Sequence, residues 1–371
     1  MNIFLFFIIL VVLIVVHEFG HFIVAKRMGI RVDEFGIGFP PRALTMWRKG
    51  ETIYTLNWLP FGGFVKIFGE NPDEESLQGS DKDRSLAHKS KMVQILVLIA
   101  GVGFNVLLAW FLFVVVFMVG SLTAIVPGED TTYITGSELR IVNILPDSPA
   151  QMAGLKTGDT ILSLISGSDV LNDPTPDSTT AFVAQHAEGF IEMYYKRDGD
   201  SGVYTSELTP VTGLIADSPN QPALGVGMSL VGELKLPIHL ATWEATLLTG
   251  DMLKNISIGL VTFFASAFTL SADLSQITGP IGIVGLVGDA ASLGVVSVLM
   301  FSAFISLNLA VINVLPIPAL DGGRIMFVLI EALKGSPIKP YVGNLLNTIG
   351  FAVLIIFMVV VSFNDILRIV G

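Results

Sequence analysis

The chain has 371 residues, 52% of them hydrophobic and 14% charged, with no cysteine. The charge share is far below the roughly 25% of soluble domains, and a net charge of −11 argues against a nucleic-acid partner, whose binder would carry a basic patch. The missing cysteines exclude disulfides, iron–sulfur clusters and thiolate-bound zinc, and a mean hydropathy of +0.71 directs the chain to a membrane.

No charge occurs from Asn2 to Val16, and the apolar run continues past His17, Glu18 and His21 to Ala25. Residues 1–25 therefore read as a first transmembrane helix, since about 20 apolar residues cross the hydrocarbon. A cleaved signal peptide fits less well, because no positive segment leads the run and no small-residue cleavage site precedes Lys26. Within this span, His17-Glu18-Phe19-Gly20-His21 is an HExxH pattern. Positions i and i+4 share a helix face, so both imidazoles can bind one zinc ion while Glu18 stands beside them as proton acceptor. Alone the pattern is weak. In a membrane it is stronger: charged residues such as Asp, Lys and Arg cost about 2.5–3.5 kcal/mol each at a helix centre by insertion scales, so three ionisable residues within five positions need a compensating partner.

Residues 26–91 carry eleven Lys and Arg, against six in the longer stretch 121–254, which places 26–91 on the cytoplasmic side. Thr52 to Leu59 alternates, Pro60-Phe-Gly-Gly turns and Phe64 to Phe68 follows, which predicts a hairpin with an edge to which an extended peptide can add. Residues 92–120 are uncharged and form the second span. Residues 121–236 form an acidic extracytoplasmic domain, 17 Asp and Glu lying between Glu129 and Asp251. There, the strand-like Leu139 to Leu145, the capped helix at Ser148 to Gly154, Gly-Leu-Lys-Thr-Gly-Asp159 and the strand-like Thr160 to Ile165 together resemble a PDZ domain, whose usual ligand is a peptide. Ser166 to Thr180 reads as a polar loop.

Residues 237–289 are read as an interfacial helix, mainly 255–272, followed by a re-entrant segment at the glycine-rich Thr278 to Gly285. Residues 290–323 are the third span, 324–340 a cytoplasmic loop and 341–371 the fourth span with the C-terminus. His21 lies five residues before Lys26, about 7.5 Å along a helix, so the motif sits in the cytoplasmic half of the membrane. Asp321 reaches the same depth from the opposite direction, three residues before Arg324, and supplies the third ligand that a catalytic zinc requires. Asp289 is its rival but falls near the outer end. Asn313-Val-Leu-Pro316-Ile-Pro318-Ala-Leu-Asp321-Gly-Gly323 cannot be a regular helix, and broken helices are tolerated in membranes only where they line a cavity. Asn105 and Asn308 are intramembrane polar residues for which helix-to-helix adhesion is as good an explanation as catalysis. His88, His186 and His239 receive no role.

HEFGH in the first span, NxxPxPxLDGG in a later one and a PDZ-like domain between them closely resemble the site-2 protease family of intramembrane zinc metalloproteases, in particular its bacterial RseP-like branch. Gly36 to Pro40, Leu59 to Lys66 with Gly69-Glu70, Ala100 to Asn105, Thr278 to Ile281 and Phe363 to Asp365 echo the family too, so the likeness covers essentially the whole chain. It implies that His17, His21 and Asp321 ligate Zn2+, that Glu18 is the general base and that Asn313 positions substrate or stabilises the oxyanion. It also implies a β-loop that dips into the membrane beside the metal. One departure is visible: there is one PDZ-like unit where the best-known members have two in tandem.

The expected protein is thus a polytopic α-helical membrane protein with four transmembrane helices, a cytoplasmic-side β-hairpin loop and an extracytoplasmic α+β PDZ-like domain. It would sit in the plasma (inner) membrane with both termini extracytoplasmic. The expected activity is hydrolysis of peptide bonds within transmembrane segments, and the resemblance implies single-span substrates such as anti-sigma factors or signal-peptide remnants. The competing reading is a non-enzymatic metal transporter or PDZ scaffold using His17, Glu18, His21 and Asp321 as a cation relay. Polar groups clustered at one depth, rather than along a pore, argue against it.

Overall fold

The computed structural model describes residues 2–70, 74–126, 131–197, 200, 202–215, 218–269, 278–336, 338 and 340–370. Leu270 and Ala272 of the expected interfacial stretch, and Lys339, fall outside them. The chain forms two compact units, one of residues 1–114, 242–291 and 297–371 and the other of 115–241 and 292–296.

In the first unit, helix α1 (Asn2–Arg27) leads into strands β1 (Val32–Lys49) and β2 (Thr52–Ile67). They are joined at Gly50-Glu51, and the expected reversal at Pro60–Gly63 is present too: residues 34–37 pair with 53–56 in one direction and with 66–63 in the other, so the two arms of that reversal flank 34–37 instead of pairing with each other. Gly50 takes a positive φ of 63° at the first reversal and Gly62 one of 100° at the second. Both strands are long and bent, so Phe35 pairs with Tyr54 and also with Val65. The folded ribbon exposes two edge segments, 42–49 and 63–67. Gly62 and Gly63 let it lie against α1, since a Cβ would come within 2.8 Å of Ile14 and 3.3 Å of Val15 respectively. Ala25, Ile30, Val32, Phe35, Val65, Ile67, Leu86 and Val97 form the core between ribbon and helices.

A short helix α2 (Glu74–Gln78) and two 3-10 turns precede the long helix α3 (Lys91–Val119). Beyond the second unit the chain continues through α6 (Ile238–Phe268), α7 (Pro280–Ser292), α8 (Val295–Val314), α9 (Asp321–Lys334) and α10 (Pro340–Val370). Ile9 and Leu13 of α1 pack on Val287 of α7, flanked by Val298, Phe301 and Ile305 of α8. The carboxylate of Asp365 in α10, only 3% exposed, accepts hydrogen bonds from Gly279 N at 3.0 Å and Gly282 N at 2.8 Å, tying α10 to the start of α7.

Among the described residues, five helices are long and apolar enough to cross a membrane, α1, α3, α6, α8 and α10, of which α6 is the least apolar. Three sequence expectations change here. The stretch beginning at residue 255 is part of a helix that starts at Ile238, because His239, Glu244, Asp251 and Lys254 interrupt the apolar pattern without interrupting the helix. Thr278 to Gly285 is a bend only at its start, since Pro280, which suits a helix's first turn, opens α7. Residues 324–340 are mostly helix α9, not loop, and the helix of the third span is Val295–Val314 where 290–323 was expected.

The second unit is a seven-stranded sheet built from β3 (Ser121–Ala124), β4 (Ile134–Ile144), β5 (Thr160–Ser166), β6 (Asp169–Asn172), β7 (Ile191–Lys196), β8 (Val203–Leu208) and β9 (Val226–Leu234). Its order is β3-β9-β4-β5-β7-β8, with β6 pairing β5. The one-turn helix α4 (Pro149–Met152) is capped by Ser148, and α5 (Pro176–Gln185) lays Phe182 and Val183 on the core of Leu139, Ile141, Leu164 and Met193. The expected loop at 166–180 is therefore a strand and a helix start. Thr175 and Ser178 form a reciprocal cap around Pro176, a helix signal that the polarity of the stretch masks in the sequence. Asp159, 1% exposed, accepts both Nε and Nη2 of Arg197 at 2.8 Å. Those bonds hold the Arg197 guanidinium well above its ordinary pKa.

Candidate metal centre

Helical periodicity sets His17 and His21 one turn apart on the buried face of α1. Asp321, the first residue of α9, meets them there. Its Oδ2 lies 3.0 Å from His17 Nε2 and 3.3 Å from His21 Nε2, and the two Nε2 atoms are 3.2 Å apart. Zinc bonds of about 2.0–2.1 Å give tetrahedral edges of about 3.3 Å, so this N, N, O set has the spacing and chemistry of three ligands with a fourth position open. It is the one group of three or more His, Asp and Glu residues with metal-ligand spacing among the described residues. His21 Nδ1–H donates to the carbonyl of Val97 at 2.8 Å, which aims the opposite nitrogen at the cluster.

The close approach depends on glycines. A Cβ on Gly101 of α3 would come 2.4 Å from His21 Nε2 and 2.8 Å from His17 Nε2, so only hydrogen at this position leaves room for both rings. Three positions after His17 and next to His21, Gly20 lets α1 touch α3, with 2.5 Å between its would-be Cβ and Ala100 O. Asp321 depends on the broken segment before it. Ala319 takes a positive φ of 79° and donates its N–H to Asn347 Oδ1 at 3.2 Å. The carbonyls of Val314, Leu315 and Ile317 then fold onto Gly322 and Gly323, where a Cβ would meet oxygen at 2.2 Å.

Glu18 points toward the ribbon. Its Oε2 accepts the backbone N–H of Val65 at 3.1 Å, which fixes one oxygen and leaves the other unengaged by that bond. Glu70, just past β2, pairs with Arg324 in the first turn of α9, and Lys91 of α3 pairs with Glu331 further along α9. Phe19 and Phe22 contact Phe35 edge-on, and Phe19 also contacts Phe104, giving the surroundings an apolar aromatic wall.

The structure brings His17, Glu18, His21 and Asp321 together. Asn313 stands in the last turn of α8 and makes no hydrogen bond to those four residues among the described residues. Asp289 lies in α7, outside the cluster. Asn308 donates to Phe304 O in its own helix at 2.8 Å. His186 contacts Asp169 in the second unit, His239 belongs to α6 and His88 to a 3-10 turn. Sequence reasoning missed three participants: the Val65 N–H, the Val97 carbonyl and Asn105, whose Nδ2 lies 3.3 Å from His17 Nδ1. The spacing 97, 101, 105 was a usable signal, since steps of four keep these residues on one face of α3.

The family model for peptidase family M50 matches residues 5–357. A protein of Clostridium perfringens, named as a zinc metalloprotease, is 35% identical over 355 residues, covering 96% of this chain and 95% of its own. The zinc metalloprotease RasP of Shouchella clausii is 28% identical over 416 residues, covering 96% of each chain. That of Oceanobacillus iheyensis is 27% identical over 438 residues with the same coverage.

Proposed function

The chain belongs to peptidase family M50 and is an intramembrane zinc metalloprotease of the site-2 type; we propose that His17, His21 and Asp321 hold its Zn2+ and that Glu18 is its general base. The observation that carries the assignment is the convergence of two imidazole nitrogens and one carboxylate oxygen, from helices 304 positions apart in sequence, at 3.0–3.3 Å. Family membership decides against the transporter and scaffold readings.

Zinc held by His17, His21 and Asp321 would act there as a Lewis acid, making water easier to deprotonate and a peptide carbonyl more electrophilic. Glu18 takes the water's proton on the oxygen that Val65 does not engage, and later returns it to the leaving amine. Asn313, eight positions before Asp321, is proposed to hold substrate or its developing oxyanion. Substrates are transmembrane segments of single-span membrane proteins, locally unwound by adding as a strand to an edge of the β1–β2 ribbon.

The protein is multi-pass. We assign the crossings to α1, α3, α8 and α10, with both termini extracytoplasmic and the centre in the cytoplasmic half, as the Lys and Arg distribution favours. Helix α6 is assigned to the interface. If it crossed, α8 would need a compensating return, and the 13 residues of α7 extend only about 20 Å at 1.5 Å per residue against a core of about 30 Å. The second unit is assigned as one PDZ-like domain whose peptide site is a cavity of about 100 Å³ lined by Thr179 and Val183 of α5 and by Leu224, Val226 and Met228.

The test is cleavage of a helical membrane peptide by purified full-length protein. Glu18→Gln should retain zinc and fold while losing cleavage by about 10²–10⁴-fold. Normal cleavage by that variant, or by Asp321→Asn protein stripped of metal, would refute the assignment.

A further inference from the structure

Asn105 is completely buried on α3, at 0% exposure, in contact with a ring assigned to the metal. Its side chain is not what joins the helices: the bond from α8 is donated by Ser306 Oγ to the Asn105 backbone carbonyl at 2.8 Å. The carboxamide instead faces His17, with Nδ2 3.3 Å from Nδ1, while its Oδ1 has no hydrogen-bond partner. A buried carbonyl oxygen left without a hydrogen bond is unfavourable, so its retention beside a ligand ring calls for a use.

The tautomer of His17 supplies one. In the arrangement seen, Asn105 Nδ2 donates to Nδ1, so the ring proton is on Nε2 and donates to Asp321 Oδ2 at 3.0 Å. A ring that gives its Nε2 lone pair to a cation must carry its proton on Nδ1, and that N–H needs an acceptor. A half-turn of the carboxamide about one bond exchanges its donor and acceptor ends and presents Oδ1 at the same place. The equivalent acceptor for His21 is already built in, as the Val97 carbonyl on the same face of α3.

We propose that Asn105 is a positioning residue that accepts the Nδ1–H of His17 through its side-chain carbonyl and so fixes the ring in the tautomer that offers Nε2 to the metal. Together with Val97, it makes α3 the outer support of both histidines. The inference rests on the assignment of His17 as a ligand through Nε2.

The experiment measures zinc affinity of the detergent-solubilised full-length protein by competition with a chromogenic chelator. It is paired with the thermal midpoint of the metal-free protein. Asn105→Leu, which keeps the volume and removes the acceptor, should weaken zinc binding about 10–100-fold with little change in the metal-free midpoint, since the Ser306 bond is untouched and the unpaired oxygen is lost together with the contact to His17 Nδ1. Asn105→Asp, which keeps an acceptor, should restore affinity to at least the wild-type value. Wild-type affinity in Asn105→Leu, or a loss that Asn105→Asp does not rescue, would overturn the proposal. His17→Ala separates the two levels: if it binds zinc as tightly as wild type, the ligand assignment itself has failed, whereas weak binding by His17→Ala with normal binding by Asn105→Leu defeats only the role of Asn105.

Discussion

The Glu18 carboxylate is hydrogen-bonded to the backbone N–H of Val65, 47 positions along the chain, at 3.1 Å. That N–H points off the free edge of the ribbon, so a ring that lacks it removes a contact to Glu18 without breaking a ladder bond. Val65→Pro should therefore lower kcat roughly tenfold, the scale of one charge-assisted hydrogen bond of about 1.5 kcal/mol, while zinc content stays at the wild-type level. Unchanged kcat would show that Glu18 needs no such guide.

Gly101 and Gly103 lie two residues apart on the same helix and make a controlled pair. A Cβ at 101 meets both imidazoles, whereas at 103 nothing lies within 4 Å. Gly101→Ala should displace the rings and abolish stoichiometric zinc binding. Gly103→Ala should leave zinc unchanged and raise the thermal midpoint slightly, as alanine is favoured over glycine in a helix by up to about 1 kcal/mol. Metal analysis of both variants, prepared side by side, is the check.

The Glu70–Arg324 pair joins the end of the β2 ribbon to the helix that begins with Asp321. It thus spans the two pieces that bring Glu18's guide and the third ligand into one place. Glu70→Gln and Arg324→Gln should each reduce kcat more than KM, because substrate contacts are retained while the catalytic groups lose their mutual alignment. The swapped double variant, Glu70→Arg with Arg324→Glu, should recover a large part of the loss. A double variant worse than either single would show that the pair does not act as a unit.

Much of this centre was legible because its chemistry is local or leaves a strong mark: HExxH occupies one helical turn, and the prolines and glycines around Asp321 announce a broken helix. What was missed is tertiary and uses backbone groups. The Val65 N–H and Val97 carbonyl exist at every non-proline position, so no residue type signals their use. Asn105 was visible as an intramembrane polar residue, but adhesion and ligand support have the same sequence signature. Pro60-Phe-Gly-Gly does reverse the chain, but its two arms lie on either side of residues 34–37, a tertiary pairing that no local signal announces, and Gly62 and Gly63 also serve a close approach to Ile14 and Val15. The start of α6 was missed because charges at Asp251 and Lys254 end an apolar window, which a helix need not respect.

Arg84 donates to both oxygens of Glu51 at the ribbon turn, the Nη1 bond measuring 2.8 Å. Those hydrogen bonds hold the Glu51 carboxyl below its ordinary value. A carboxyl depressed in the folded state binds fewer protons there than in the unfolded chain. Its stabilising contribution is therefore complete above the unfolded value of about 4.3 and is lost as pH falls through the lower, folded one. Glu51 is partly exposed, so the effect is small and screened by salt. The thermal midpoint of the wild type should accordingly fall more steeply than that of Glu51→Gln as pH drops below about 4.3, with the difference shrinking at high ionic strength. Parallel curves for the two proteins at low salt would mean that the Arg84 contact adds nothing to the folded state in solution.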